Sequence, residues 1–175
     1  MAVIVLIAIN ILCFLLISSA YNAYFGLNLL MLEKAYYWQV LSSMFIHANF
    51  THLILNMMVL YQFGSILERW LGAMKFFVLY FLGGLLCSLL SFVYIYFEFT
   101  MTQEVVNVVG ASGAICVLMG YYAFLDKNSL KGLLIAILLI SFLPLLMGVN
   151  IAWYGHIFGF VCGYILARTG FLQGR

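Results

Sequence analysis

A serine bracketed by glycines, Gly110-Ala111-Ser112-Gly113, stands at the head of an apolar run that reaches Leu125. Other apolar runs are broken by His156 and by Asn56, with His52 four residues before Asn56. A serine hydroxyl becomes a nucleophile when a base takes its proton, and histidine is the usual base. An asparagine amide at the depth of the serine is a natural donor to an oxyanion, as is the Ser112 backbone N–H at a helix start. A plainer use of the same residues competes with this chemistry. Small residues are what membrane helices pack through. His52 and Asn56, at i and i+4 on one face, could simply hydrogen-bond the loop at 98–109. Cys116, one turn after Ser112, is a second nucleophile on paper. Nothing cationic stands beside it to favour a thiolate, so it reads as an inert buried thiol.

What has to position these groups can be counted. Ser112 lies 14 residues before Asp126, about 21 Å along a helix. His156 is 12 residues before Arg168, about 18 Å, and Asn56 is 13 before Arg69, about 20 Å. His52 stands about 6 Å beyond Asn56. If the three charged ends share one side of a bilayer, the serine, histidine and asparagine reach nearly the same depth. A dyad also needs close helices. Gly155, Gly159 and Gly163 recur every four residues and make a groove that admits a neighbour's backbone. His156 stands at its rim, with Gly159 and Gly163 at i+3 and i+7, while Gly110 and Gly113 are the small residues on the serine's side.

The composition sets the medium. Of 175 residues, 67% are hydrophobic and 7% charged, against about 25% charged in soluble domains, so the chain cannot cover itself with a solvated surface. It reads as an integral membrane protein and, by length, one domain over 1–175. A net charge of +2 is too small to imply a nucleic-acid partner. Cys13, Cys87, Cys116 and Cys162 fall one to a segment, which is no disulfide framework. No metal-ligand spacing such as CxxC occurs, and no cofactor is expected.

Six apolar segments are predicted. Met1–Ser18 lacks a basic n-region and reads as a membrane helix rather than a signal peptide. Thr51–Glu68, Lys75–Phe97, Ser112–Leu125, Leu130–Met147 and Ile151–Arg168 follow. Residues 20–50, rich in Tyr and Trp, are expected to lie on the bilayer surface. The polar connection at 98–109 leads down to Ser112 and implies a wet pocket above it, since irregular backbone at that depth needs one. Arg69, Lys75, Lys127, Lys131, Arg168 and Arg175 fall on the side of both termini, and only Lys34 on the other. The positive-inside rule then places both termini in the cytoplasm. Ser112, His156, Asn56, His52 and His47 belong to the outer half. For a bacterial protein the membrane is the inner one.

Four pieces in this order, His47-x4-His52-x3-Asn56, Glu68-Arg69, Gly110-Ala111-Ser112-Gly113 and Gly155-His156-x2-Gly159-x3-Gly163, resemble the rhomboid intramembrane serine proteases over nearly the whole chain. The resemblance implies an all-α polytopic fold, a bundle of six transmembrane helices around a short fourth helix. It implies Ser112 as nucleophile and His156 as general base. Asn56 and His52, with the Ser112 amide, would form the oxyanion hole. It further implies cleavage of transmembrane protein substrates at or near the membrane, beside small residues, without metal or cofactor. The partners are then membrane lipid and those substrates, with the active site opening to the extracytoplasmic side and the oligomeric state left open.

Two positions depart from the family pattern. Many members carry Trp-Arg in the loop where this chain has Trp38-Gln39, so a weaker anchor is expected there. Some members stack an aromatic residue, one turn after the serine, on the catalytic histidine. Here that position is Cys116, so His156 must be held otherwise, with Tyr154 or Phe160 as the packing partners expected. Two other readings stay open, a non-catalytic rhomboid-like scaffold that binds membrane proteins and a haem- or ion-binding bundle using His47, His52 and His156.

Overall fold

The computed structural model describes residues 1–170 and Leu172; Arg175, counted above among the basic residues, lies outside them. Most of the described residues are helical, and their one β contact is an isolated antiparallel bridge between Leu27 and Val108. In order they form α1 (Ala2–Leu16), the short turns α2 (Asn22–Phe25), α3 (Leu30–Glu33) and α4 (Gln39–Ser42), then α5 (Phe50–Leu71), α6 (Ala73–Thr102), α7 (Ser112–Leu125), α8 (Leu130–Leu146) and α9 (Trp153–Arg168).

By length and composition α5 and α6 each suffice to cross a bilayer. Counted with the turns down to Phe25, α1 passes the same test, but the two parts are bent by 100°. The apolar helices α7 and α8 are shorter. At 14 residues, α7 is about 21 Å long, less than the hydrocarbon thickness of about 30 Å. A helix of that length is too short to cross the core unaided.

The core is built around α7. Nine of its 14 residues are buried, as befits a helix that is apolar on every side. It packs against α9, α6 and α5, and these contribute Leu60, Leu67, Phe76, Leu79, Tyr80 and Phe160 to the same buried cluster. Trp70 stacks on Tyr122 with ring centroids 5.5 Å apart, and Phe124 meets Tyr164 at 5.3 Å. These contacts bring the C-terminal ends of α5, α7 and α9 together. There Asp126 accepts from Ser129 Oγ at 2.5 Å and from Tyr122 Oη at 3.1 Å. The Ser129 bond, above all, holds its carboxyl below the usual range. The start of α1 joins the same end, where the Ala2 and Val3 amides donate to the Glu68 carboxylate at 2.6 and 2.9 Å, beside the Met1 ammonium.

One segment boundary differs materially from expectation. The polar connection expected at 98–109 begins only after Thr102. Thr100 and Thr102 turn their hydroxyls back onto the Phe97 and Glu98 carbonyls. Gln103 then closes α6 with φ 61° and its N–H on the Phe99 carbonyl. Local polar side chains satisfied the helix end instead of unwinding it.

The loop expected to be poorly anchored is well held. Gln39 is fully buried; its Nε2 donates to the Ala23 and Tyr24 carbonyls at 3.1 and 3.3 Å, and its Oε1 accepts from the Asn28 amide at 3.2 Å. A neutral amide brings both donor and acceptor, so the absence of arginine leaves no bond unmade. Tyr36 stacks on Trp38 and meets Tyr24 edge-on in the same loop.

Candidate active site

Ser112 is the first residue of α7, and three backbone ties set its height. Leu27 and Val108 exchange N–H···O bonds at 2.8 and 2.9 Å, and the Gly110 N–H donates to the Ser43 carbonyl at 2.9 Å. Gly110 itself has φ 126°, a conformation that side chains do not tolerate. A Cβ there would also stand 2.7 Å from the His52 ring. The serine thus leaves a tight glycine turn directly into a helix whose first N–H groups have no partner within the helix.

His156 approaches from α9, and its Nε2 lies 3.1 Å from Ser112 Oγ. Both residues are half-buried, neither sealed in the core nor standing in the open. The two helices are in backbone contact. A Cβ on Gly163 would fall on the Val117 carbonyl, one on Gly159 on the Gly113 carbonyl and Cys116 Cβ, and one on Gly120 on the Phe160 carbonyl. Gly113 is also tight, with Cys87 Sγ 2.9 Å from its missing Cβ. Gly155 is different, because a Cβ would meet only Ser91 Oγ at an ordinary 3.5 Å.

The Asn49 side chain caps α5 by accepting the His52 N–H at 2.8 Å, which fixes where the face bearing His52 and Asn56 begins. Asn56 is buried, and its Nδ2 donates within α5 to the His52 carbonyl at 2.8 Å. An asparagine amide has two hydrogens, so one remains for a further acceptor. The His52 ring sits beside Gly110, edge-on to His47 with centroids 5.2 Å apart. His47 is buried at 4% exposure, because the loop carrying it folds in against His52. A cavity of about 430 Å³ opens there, lined by Cys13, Ser18, Asn22 and His47, and it does not include Ser112 or His156.

The expected packing of His156 on Tyr154 or Phe160 is not what the chain does. Tyr154 turns toward α6, its ring centroid 4.3 Å from that of Tyr94, and Phe160 belongs to the core below. Instead His156 Nδ1 meets Ser141 Oγ at 3.3 Å. Cys116 is buried under Gly159. Cys87 donates its S–H to the Gly155 carbonyl at 3.2 Å, bracing the residue before the histidine. Sequence reasoning missed Ser141 and Cys87, since a serine in an apolar run and a lone thiol carry no spacing signal.

A sequence profile of the Rhomboid domain matches residues 34–173. This chain belongs to the rhomboid family. The rhomboid match takes in every site residue from Gln39 to His156. Among relatives, the rhomboid protein YdcA of Bacillus subtilis is 33% identical over 138 residues, 75% of this chain and 66% of that protein. RHOMBOID-like protein 6, mitochondrial, of Arabidopsis thaliana is 32% identical over 149 residues, 78% of this chain and 44% of the relative. Rhomboid protease AarA of Providencia stuartii is 34% identical over 99 residues, 52% of this chain and 35% of its own length. The chain therefore spans less than two thirds of each of these rhomboid relatives. Like the rest of its family, it is an integral membrane protein.

Proposed function

We propose that this chain is an intramembrane serine endopeptidase that cleaves transmembrane proteins at or near the membrane. The observation that carries the reading is the 3.1 Å approach of His156 Nε2 to Ser112 Oγ, hydrogen-bond reach for a nucleophile and its base. His156 Nε2 takes the hydroxyl proton as Ser112 Oγ attacks the scissile carbonyl carbon. The negative charge on the carbonyl oxygen is met by the Ser112 N–H, the second amide hydrogen of Asn56, and His52. His156 then gives the proton to the leaving amine, and an acyl-serine remains. Water, deprotonated by the same nitrogen, hydrolyses it and restores Ser112. No step calls for a metal or a cofactor.

The proposed setting is a single domain with six spans, both termini cytoplasmic and the site opening to the opposite side. Two observations support it. The basic ends of α5 and α9 share one end of the bundle with the start of α1. Ser112, His156 and His52 share the other. The test is incubation of the purified chain, in detergent or liposomes, with a model single-span substrate containing small residues. The expected outcome is a discrete cut near the span, absent with Ser112→Ala. Binding of the substrate without any cut, by wild type and Ser112→Ala alike, would replace the enzyme with a capture scaffold.

A further inference from the structure

The helix α8 is the long helix that gives least to the core. Of its 17 residues only Ile137 and Ser141 are buried. The polar one of the pair is the more enclosed, with Ser141 at 0% exposure. A buried hydroxyl on an otherwise lipid-facing helix costs free energy unless it is used. Its Oγ lies 3.3 Å from His156 Nδ1 while Nε2 of the same ring lies 3.1 Å from Ser112 Oγ. Three side chains from α8, α9 and α7 therefore stand in line through one imidazole.

A neutral imidazole has one N–H donor and one acceptor nitrogen. For Nε2 to accept the Ser112 proton, Nδ1 must carry the hydrogen, and that hydrogen needs an acceptor. We propose that Ser141 is the positioning residue of this site, holding His156 in the Nδ1–H tautomer with Nε2 turned to Ser112. The proposal rests on the serine protease reading above. A serine in a membrane helix can satisfy its own proton on the carbonyl one turn earlier, which leaves its lone pairs for the ring. Being neutral, it orients the histidine without the charge that a carboxylate would add. Packing alone does not require a hydroxyl, because alanine or valine would fill the same place in an apolar helix.

The experiment uses the purified chain with 15N-labelled histidine, comparing wild type, Ser141→Ala, Ser141→Val and Ser141→Thr. Two-bond 1H–15N correlations report the tautomer of each ring, and His156→Asn assigns the resonances. The expected result is an Nδ1–H ring in wild type and Ser141→Thr, and loss of that single tautomer in the other two. In parallel, kcat on the single-span substrate should fall about tenfold in Ser141→Ala and Ser141→Val, the cost of one orienting hydrogen bond. KM should stay unchanged, and Ser141→Thr should recover most of the rate. Threonine and valine share a shape, so that pair separates the hydroxyl from packing even if alanine destabilises the fold. An unchanged tautomer in Ser141→Val would overturn the proposal. If wild type failed to cut, the protease reading would fall, and the tautomer comparison would still decide what Ser141 does.

Discussion

Asn56, one turn after His52 on α5, and Cys116, one turn after Ser112 on α7, have surroundings that give them different expected weights. The Asn56 amide spends one hydrogen on the His52 carbonyl, so it is oriented before any substrate arrives. In the proposed reaction it would share the oxyanion with the Ser112 N–H and His52. Asn56→Ala should therefore lower kcat by about tenfold, short of the roughly 100- to 1,000-fold lost with a principal donor, and should hardly change KM. A change confined to KM would make Asn56 a ground-state contact. Cys116 is enclosed against α9, and Cys116→Ala is expected to retain most of the turnover in a steady-state cleavage assay. Ser112, His156 and Asn56 were legible as candidates in the sequence because polar residues within apolar runs are expensive and few. Ser141 was not. A serine amid leucines costs little to write, and its partner comes 15 residues later on another helix.

Between elements, the decisive contact is α7 against α9. The carbonyl under Gly159 belongs to Gly113, the residue next to Ser112, so any side chain at 159 pushes directly on the start of α7. Gly159→Leu should separate the helices by about an ångström, a misplacement that costs on the order of 100-fold in rate. Helix content by circular dichroism should be unchanged, since leucine is the better helix former. Near-normal cleavage by that variant would mean that other contacts set the Ser112–His156 distance. Glycines four apart announced this groove. What the sequence did not mark was the reciprocal Gly120 under Phe160, because the nearest glycine in its run, Gly113, is seven residues away and not four. The end of α6 was misplaced for a similar reason, as polar letters at its close are equally those of a loop and of a self-capped helix.

For the whole molecule, the apolar segments were readable from hydropathy, with ends moved by a few residues. Which of them cross the bilayer alone was not, because α7, α8 and α9 are shorter than a bilayer core is thick and depend on their neighbours. The arrangement of ends makes a direct prediction. A cysteine introduced at Asn128, in a variant whose native thiols are removed, should react with an impermeant maleimide only from the side of the termini. One introduced at Gln103 should react only from the opposite side. Both reacting from one side would contradict the proposed orientation.

The proposed activation of Ser112 by His156 spans the 3.1 Å between Nε2 and Oγ. It is tested most directly with a fluorophosphonate probe on the purified chain, followed by peptide mass spectrometry. One adduct is expected, on Ser112, formed by wild type and lost in His156→Ala with the fold retained. Equal labelling of Ser112 in wild type and His156→Ala would contradict it.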